Sequence, residues 1–209
     1  MLYVLLDFVF PARCVICGRP ARPLCSDCEP KQSNGECSVE SIPGIYVFEY
    51  SAELGKILSD YKDKAKTFHC AFLARALLGQ LEPLIDQFKP DVVITPSSSR
   101  ANYKKRGFVP SKKIVATALA KIGSPVEVKT LKLTRHVSDQ RGLDRSSRNQ
   151  NISRAFWSQE LHGRRVLLFD DVMTTGSTMR EMIRAVKAAN GNIVGICVLA
   201  KRVSFLATD

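Results

Sequence analysis

Apolar residues along this chain fall into short β-type runs that alternate with helical periods. Gly44 opens the run Ile45, Tyr46, Val47 and Phe48, and two helical stretches follow at about 51–62 and 67–81. In the second, Phe68, Phe72, Ala76 and Gly79 stand four, four and three residues apart. A strand is predicted at 91–95, then a polar basic loop to about residue 108, a helix over 109–122 stopped at Gly123, and a short strand over 126–133. Residues 134–154 are polar and have no apolar period. Beyond them Arg165, Val166, Leu167, Leu168 and Phe169 read as a strand buried on both faces. Residues 177–189 read as a helix ended by Asn190 and Gly191, and 193–199 as the last strand. Strands alternating with helices predict an α/β fold with a doubly wound, mostly parallel sheet. No internal repeat is visible.

The first forty residues follow a different logic. Leu2, Leu5, Leu6 and Val9 have the spacing of a short amphipathic helix that ends before Pro11. Residues 11–37 carry Pro11, Pro20, Pro23 and Pro30 and almost no apolar period, so they cannot build a core by themselves. They do hold Cys14, Cys17, Cys25 and Cys28, two knuckles with two residues between the thiols of each. That gap lets a tight turn aim both thiolates at one ion, and four sulfurs at tetrahedral positions suit a structural Zn2+. An iron–sulfur cluster is the alternative, and four unrelated buried thiols the bland one. Cys37 reads as a spare thiol or a displaced ligand; Cys70 and Cys197, in apolar surroundings, read as core. The expected division is an N-terminal helix and zinc module over 1–40 and an α/β domain over 41–209.

Composition excludes disorder and fibrous repeats, with 45% hydrophobic and 24% charged residues among 209. Charge adds more. The net value is +11, and the segment 96–165 alone carries 16 basic and 4 acidic residues, a surplus of 12, so any anion site is sought there first. The start lacks a basic region and meets Asp7 and Pro11 too early for a signal peptide. No apolar run approaches the roughly 18 residues of a membrane span. With clustered thiols, the expectation is a cytoplasmic protein with no membrane span.

The strongest chemical signal follows the strand 166–169, which runs into Asp170, Asp171, Val172, Met173, Thr174, Thr175, Gly176, Ser177 and Thr178 just before a helix. Hydroxyls, backbone N–H groups at a helix start, and a glycine that lets the backbone come close can together cup a phosphate. Two adjacent carboxylates would repel a phosphate at contact distance, but they can accept from the two hydroxyls of a ribose one sugar-length away. The segment therefore reads as a ribose 5-phosphate site; the competing reading is a capped loop after a buried strand. A second strand end should contribute nearby. After 91–95 come Pro96, Ser97, Ser98, Ser99 and Arg100, then Lys104, Lys105 and Arg106, a small-residue turn with four cations that suits a diphosphate. Lys104 and Lys105 can equally be a solvated face.

At these residues the chain resembles the type I phosphoribosyltransferases, and more closely the ComF family, which joins an N-terminal four-cysteine zinc module to that fold. The resemblance rests on the knuckles, on 170–178, on Arg106, Gly107 and Phe108, and on Gln140, Leu143, Arg148 and Asn149 ahead of Ala155 and Phe156. Where relatives carry a Pro-Val-Pro-Leu-type turn, this chain has Thr95, Pro96, Ser97 and Ser98.

The resemblance implies binding of phosphoribosyl pyrophosphate (PRPP). Asp170 and Asp171 would hold the ribose hydroxyls, and Thr174, Thr175, Gly176, Ser177 and Thr178 the 5-phosphate. Ser97, Ser98, Ser99 and Arg100 would hold the diphosphate with Mg2+. Residues 134–150 would form a hood, with Arg135, Gln140, Arg141 and Arg148 its candidate ligand contacts; His136 is taken as an exposed loop residue.

Two functions fit. One is a phosphoribosyltransferase acting on an unidentified nitrogenous acceptor with release of pyrophosphate. The other, implied by the association of the ComF family with DNA uptake, is a competence accessory that binds single-stranded DNA or DNA-uptake proteins, with PRPP binding regulatory or vestigial. A PRPP sensor without turnover shares elements of both, and a homodimer is compatible with each.

Overall fold

The computed structural model describes residues 13–21, 24–134 and 154–203. The predicted N-terminal helix and the hood residues Arg135, His136, Gln140, Arg141 and Arg148 lie outside them. The described chain begins with the cysteine segment and continues into a hairpin of β1 (Gly35–Val39) and β2 (Ile42–Glu49), whose two turn residues, Glu40 and Ser41, both have positive φ. Helix α1 (Ala52–Asp63) starts at Ser51, whose hydroxyl accepts from the Leu54 N–H at 3.2 Å, and α2 (His69–Phe88) follows. Then come β3 (Val92–Thr95), α3 (Arg100–Arg106), α4 (Pro110–Lys121) and β4 (Glu127–Thr130). The short strands β5 (Lys132–Leu133) and β6 (Phe156–Trp157) precede β7 (Arg165–Met173), α5 (Ser177–Ala188) and β8 (Asn192–Lys201).

Six strands form one sheet in the order β1-β2-β8-β7-β3-β4. All neighbours are parallel except β1 with β2. The mostly parallel α/β sheet is therefore as the alternation of elements predicts. Side chains of β7 show why its sequence is apolar throughout: Leu167 and Phe169 enter a core built with α1, α2 and α4, whereas Val166 and Leu168 enter a second core built with α5. Helices cover both faces. The cysteine segment packs on the first face through Val15, Ile16, Cys25 and Cys28. It is tied there by Gln32 Nε2 donating to the Ala76 carbonyl at 3.0 Å and Lys56 Nζ to the Ile16 carbonyl at 3.4 Å.

Besides β1, for which the sequence reading has no strand, three elements differ from it. The strand expected over 126–133 is two: β4 pairs with β3 in the main sheet, whereas β5 leaves it and pairs antiparallel with β6. The split falls at Leu131, which is buried in the α5-side core and carries the chain past the end of β3 with one last bond to the Thr95 carbonyl, at 3.0 Å. The β6 end of this ribbon is held to α5 by Glu181, which accepts from the Phe156 N–H at 3.0 Å. The basic loop after β3 contains α3, capped by the Ser99 hydroxyl accepting from the Asn102 N–H at 3.3 Å. None of the α3 residues is buried, so no apolar period announces the helix. Finally, α2 runs on to Phe88 through Pro83, because Leu84, Ile85 and Phe88 continue its buried stripe.

Candidate functional site

Connections in the sheet diverge between β3 and β7. From β3 the chain moves outward to β4, and from β7 it moves the other way to β8. In open α/β sheets such a switch point leaves a crevice beyond the carboxyl ends of the two strands, where ligands bind. The pairing of Ile94 with Leu168 sets the ends of the two strands level, so the loop after Thr95 and the acid-bearing end of β7 leave the same edge of the sheet from adjacent strands. The two segments chosen from sequence are thus neighbours in space.

Asp170 and Asp171 lie inside β7 and are both buried, at 6% exposure each. The Asp171 N–H donates to Asp170 Oδ1 at 2.8 Å. Asp171 is held through both oxygens: Lys62 Nζ lies 2.5 Å from Oδ1, and the Ser111 hydroxyl donates to Oδ2 at 3.0 Å. Among the described residues no cation pairs directly with Asp170. Burial first, and then the neighbouring Asp171 charge, raise its carboxyl up to about 8, against the opposing pull of Lys62. A diol can thus be offered one fixed carboxylate and one group that exchanges a proton. Lys62 and Ser111 were invisible to the sequence reading, since nothing at motif spacing links the last turn of α1 or the first of α4 to β7.

Beyond Met173 the turn rises to α5. Gly176 is its N-cap with φ +74, a left-handed conformation that L side chains resist, and no side chain caps the helix there. The Thr175 and Ser177 hydroxyls lie 2.6 Å apart, Thr174 is exposed, and Thr178 is half-buried. Arg180, one turn into the helix, reaches back to donate to the Thr175 carbonyl at 3.1 Å, a brace the sequence reading did not identify. Hydroxyls and a positive helix end therefore converge at one point, an arrangement suited to a phosphate.

On the β3 side, Ser97, Ser98 and Ser99 are half-buried and Arg100 is exposed at the start of α3. The four cations grouped by sequence separate here. Lys104 and Lys105 face solvent, but the Arg106 side chain is only 9% exposed and pairs with Asp63 Oδ1 at 3.4 Å. Arg106 belongs to the packing beneath the turn rather than to its exposed face.

The four sulfurs of Cys14, Cys17, Cys25 and Cys28 lie within 4.8 Å of one another, with Cys17 and Cys25 at 3.6 Å. Tetrahedral zinc with bonds of about 2.3 Å sets its sulfurs roughly 3.8 Å apart, so these donors fit that ion. Burial opposes ionisation of Cys14, but the backbone amides of Cys17, Cys25 and Ile16 outweigh it and bring the thiol down to about 6. Cys28, crowded first by Cys17, is pushed up to about 12. Cys37 is a strand residue in the core on the α5 side, away from the knuckles, whereas Cys70 and Cys197 are core residues. His69 is fully buried, its imidazole held neutral by burial, and its ring nitrogens find no partner among the described residues.

Similarity to known proteins bears on the same region. The chain is 27% identical over 189 residues to a DNA utilization protein YhgH of Salmonella typhi, covering 81% of each. It is 36% identical over 75 residues to Competence protein F of Haemophilus influenzae, covering 34% of this chain and 33% of that one. Over 123 residues it is 32% identical to an adenine phosphoribosyltransferase of Prochlorococcus marinus, covering 57% and 63%. The first two relatives and the cysteine cluster accord with the resemblance to the ComF family. A sequence model described as the phosphoribosyl transferase domain matches residues 59–205, from within α1 to past the end of β8. Because that match takes in the switch point and both loops flanking it, the chain belongs to the phosphoribosyl transferase domain family.

Proposed function

We propose that this protein binds PRPP with Mg2+ and transfers its phosphoribosyl group to a nitrogenous acceptor, releasing pyrophosphate. One observation carries the reading: the acid pair lies at the end of β7, the hydroxyl-rich turn follows directly into α5, and the serine turn leaves the adjacent strand β3 at the same edge of the sheet. A ribose with a phosphate at one end and a diphosphate at the other matches that sequence of groups.

In this reaction the bond from the anomeric carbon to the diphosphate oxygen breaks, and a bond to the acceptor nitrogen forms, through an oxocarbenium-like state. Thr174, Thr175, Ser177 and Thr178 hold the 5-phosphate. Asp171 and, once deprotonated, Asp170 accept from the ribose hydroxyls, and their negative charge favours the positive charge developing on the sugar. The 97–99 turn and Arg100 receive the diphosphate. Mg2+ would enter with that diphosphate and neutralise the leaving group. No protein nucleophile is required. Four thiols of fitting geometry support a structural Zn2+ in the N-terminal segment.

Calorimetric titration with PRPP and MgCl2, followed by assays of pyrophosphate release with candidate bases and amines, tests the reading. Binding by the native protein that is lost in an Asp170→Asn, Asp171→Asn double variant is expected. Absence of binding by the native protein overturns it.

A second reading draws on the names of the relatives and on exposed cations of α3 and α4. Arg100, Lys104, Lys105, Lys112 and Lys121 are exposed, with the half-exposed Tyr103 among them. Such a surface can follow a single-stranded DNA backbone, giving a cytoplasmic DNA-handling accessory in which PRPP is regulatory. Binding that weakens steeply with salt supports it; no binding at low salt rejects it.

A further inference from the structure

The last turn of α1 is joined to three other elements by three consecutive residues. Tyr61, fully buried, donates its hydroxyl proton to the Pro110 carbonyl at the start of α4, at 3.2 Å. Lys62 reaches Asp171 on β7 at 2.5 Å, and Asp63 reaches Arg106 at the end of α3 at 3.4 Å. Lys62 is a quarter exposed, and its neighbours on both sides are tethered. A carboxylate offers about four lone-pair positions. Lys62 takes one on Oδ1 and Ser111 one on Oδ2, which fixes the carboxyl plane and leaves the second position of each oxygen for other donors.

We propose that Lys62 is the positioning residue of the acid pair, holding Asp171 in one orientation so that a ribose meets it already as an acceptor. This rests on the PRPP reading for its ligand but not for its geometry. Two adjacent buried carboxylates repel, and one of them takes up a proton. Burial and the adjacent carboxylate raise Asp170, which is therefore the member that releases its proton to solvent when a hydroxyl donates to it. Without the ammonium, Asp171 loses one of the two partners that fix its direction, and Asp170 holds its proton more tightly. The groups facing Asp171 are Asp170 from its own strand, Lys62 and Tyr61 from α1 and the Ser111 hydroxyl from α4; Asp63 is turned to Arg106.

The experiment titrates PRPP with MgCl2 into native protein, Lys62→Met and Lys62→Arg between about pH 6 and about pH 9, a range that spans the exchange of the shared proton. Lys62→Met, which keeps the aliphatic stem, is expected to weaken PRPP binding roughly tenfold or more at the acid end, as loss of a charged hydrogen-bond partner does. The deficit should shrink as pH rises, and Lys62→Arg should restore affinity. Unchanged affinity in Lys62→Met overturns the proposal, and so does a pH-independent loss that arginine fails to rescue. Carbon-13 NMR titration of the aspartate carboxyls in ligand-free protein gives an independent reading: Lys62 opposes the rise at Asp170, so in Lys62→Met the Asp170 titration should move to higher pH, and an unmoved titration overturns the proposal. If the native protein fails to bind PRPP, the PRPP reading fails while the carboxyl titration still decides the role of Lys62.

Discussion

Arg106 Nη2 lies 3.4 Å from Asp63 Oδ1, joining the end of α3 to the end of α1 across 43 residues of chain. The pair is largely shielded from water, and Arg106 Nε finds no partner among the described residues, so Asp63 supplies the charge compensation for this guanidinium. Replacing Asp63 by Asn keeps the shape and removes the charge. We expect a loss of about 1–3 kcal/mol in urea unfolding, as for a shielded charge left without its counterion. Arg106→Leu, which removes the buried cation itself, should cost less.

Asp170→Asn tests the protonation state of the acid pair in the ligand-free protein. Asparagine retains the oxygen that accepts from the Asp171 N–H and cannot ionise. In the folded native protein the Asp170 carboxyl keeps its proton up to about 8, whereas in the unfolded chain it loses it near 4. The folded state therefore binds more protons between these values, and native stability falls as pH rises through that window. Thermal midpoints of the two proteins should coincide at the acid end and separate above it, with Asp170→Asn the more stable at neutral and alkaline pH. Parallel curves would contradict the assignment.

Gly176→Ala probes the turn before α5. The left-handed φ of +74 strains any L side chain, and the added methyl would meet Arg180 Nη1 at 3.3 Å and Val39 Cγ2 at 3.8 Å. A destabilisation of about 1 kcal/mol is expected from the backbone alone. The same methyl disturbs Arg180, which braces the Thr175 carbonyl, so inorganic phosphate should bind more weakly by calorimetry.

The cysteine cluster predicts one tightly held zinc per chain. Metal analysis of protein purified without added zinc should find it, and Cys14→Ser should release it, because Cys14 is both a donor and a buried residue of the core. Cys37→Ser should leave the zinc content unchanged. Removing the ion should lower the thermal midpoint, since residues 11–37 have almost no apolar period with which to build a core by themselves.

Local chemistry was legible along the chain. The spacing of Cys14 with Cys17 and of Cys25 with Cys28, the adjacency of Asp170 and Asp171, and the hydroxyl turn around Gly176 each depend on residues a few positions apart. The alternation of buried runs with helical periods sufficed for the sheet class for the same reason. Helix α3 was not legible, because its residues are polar and its start depends on one serine cap.

What only the tertiary structure decided is which distant groups meet. Lys62 lies 109 residues before its partner Asp171, and Ser111 lies 60 before it. Neither position differs from any other lysine or serine near a helix end when read along the chain. Their roles follow from strand order, which places β7 at the centre of the sheet and lets the ends of α1 and α4 converge on its carboxylates. Periodicity records which face of an element is buried; it carries no information about what packs against that face. The acid pair was therefore a property of the sequence, and the cation that holds it a property of the fold.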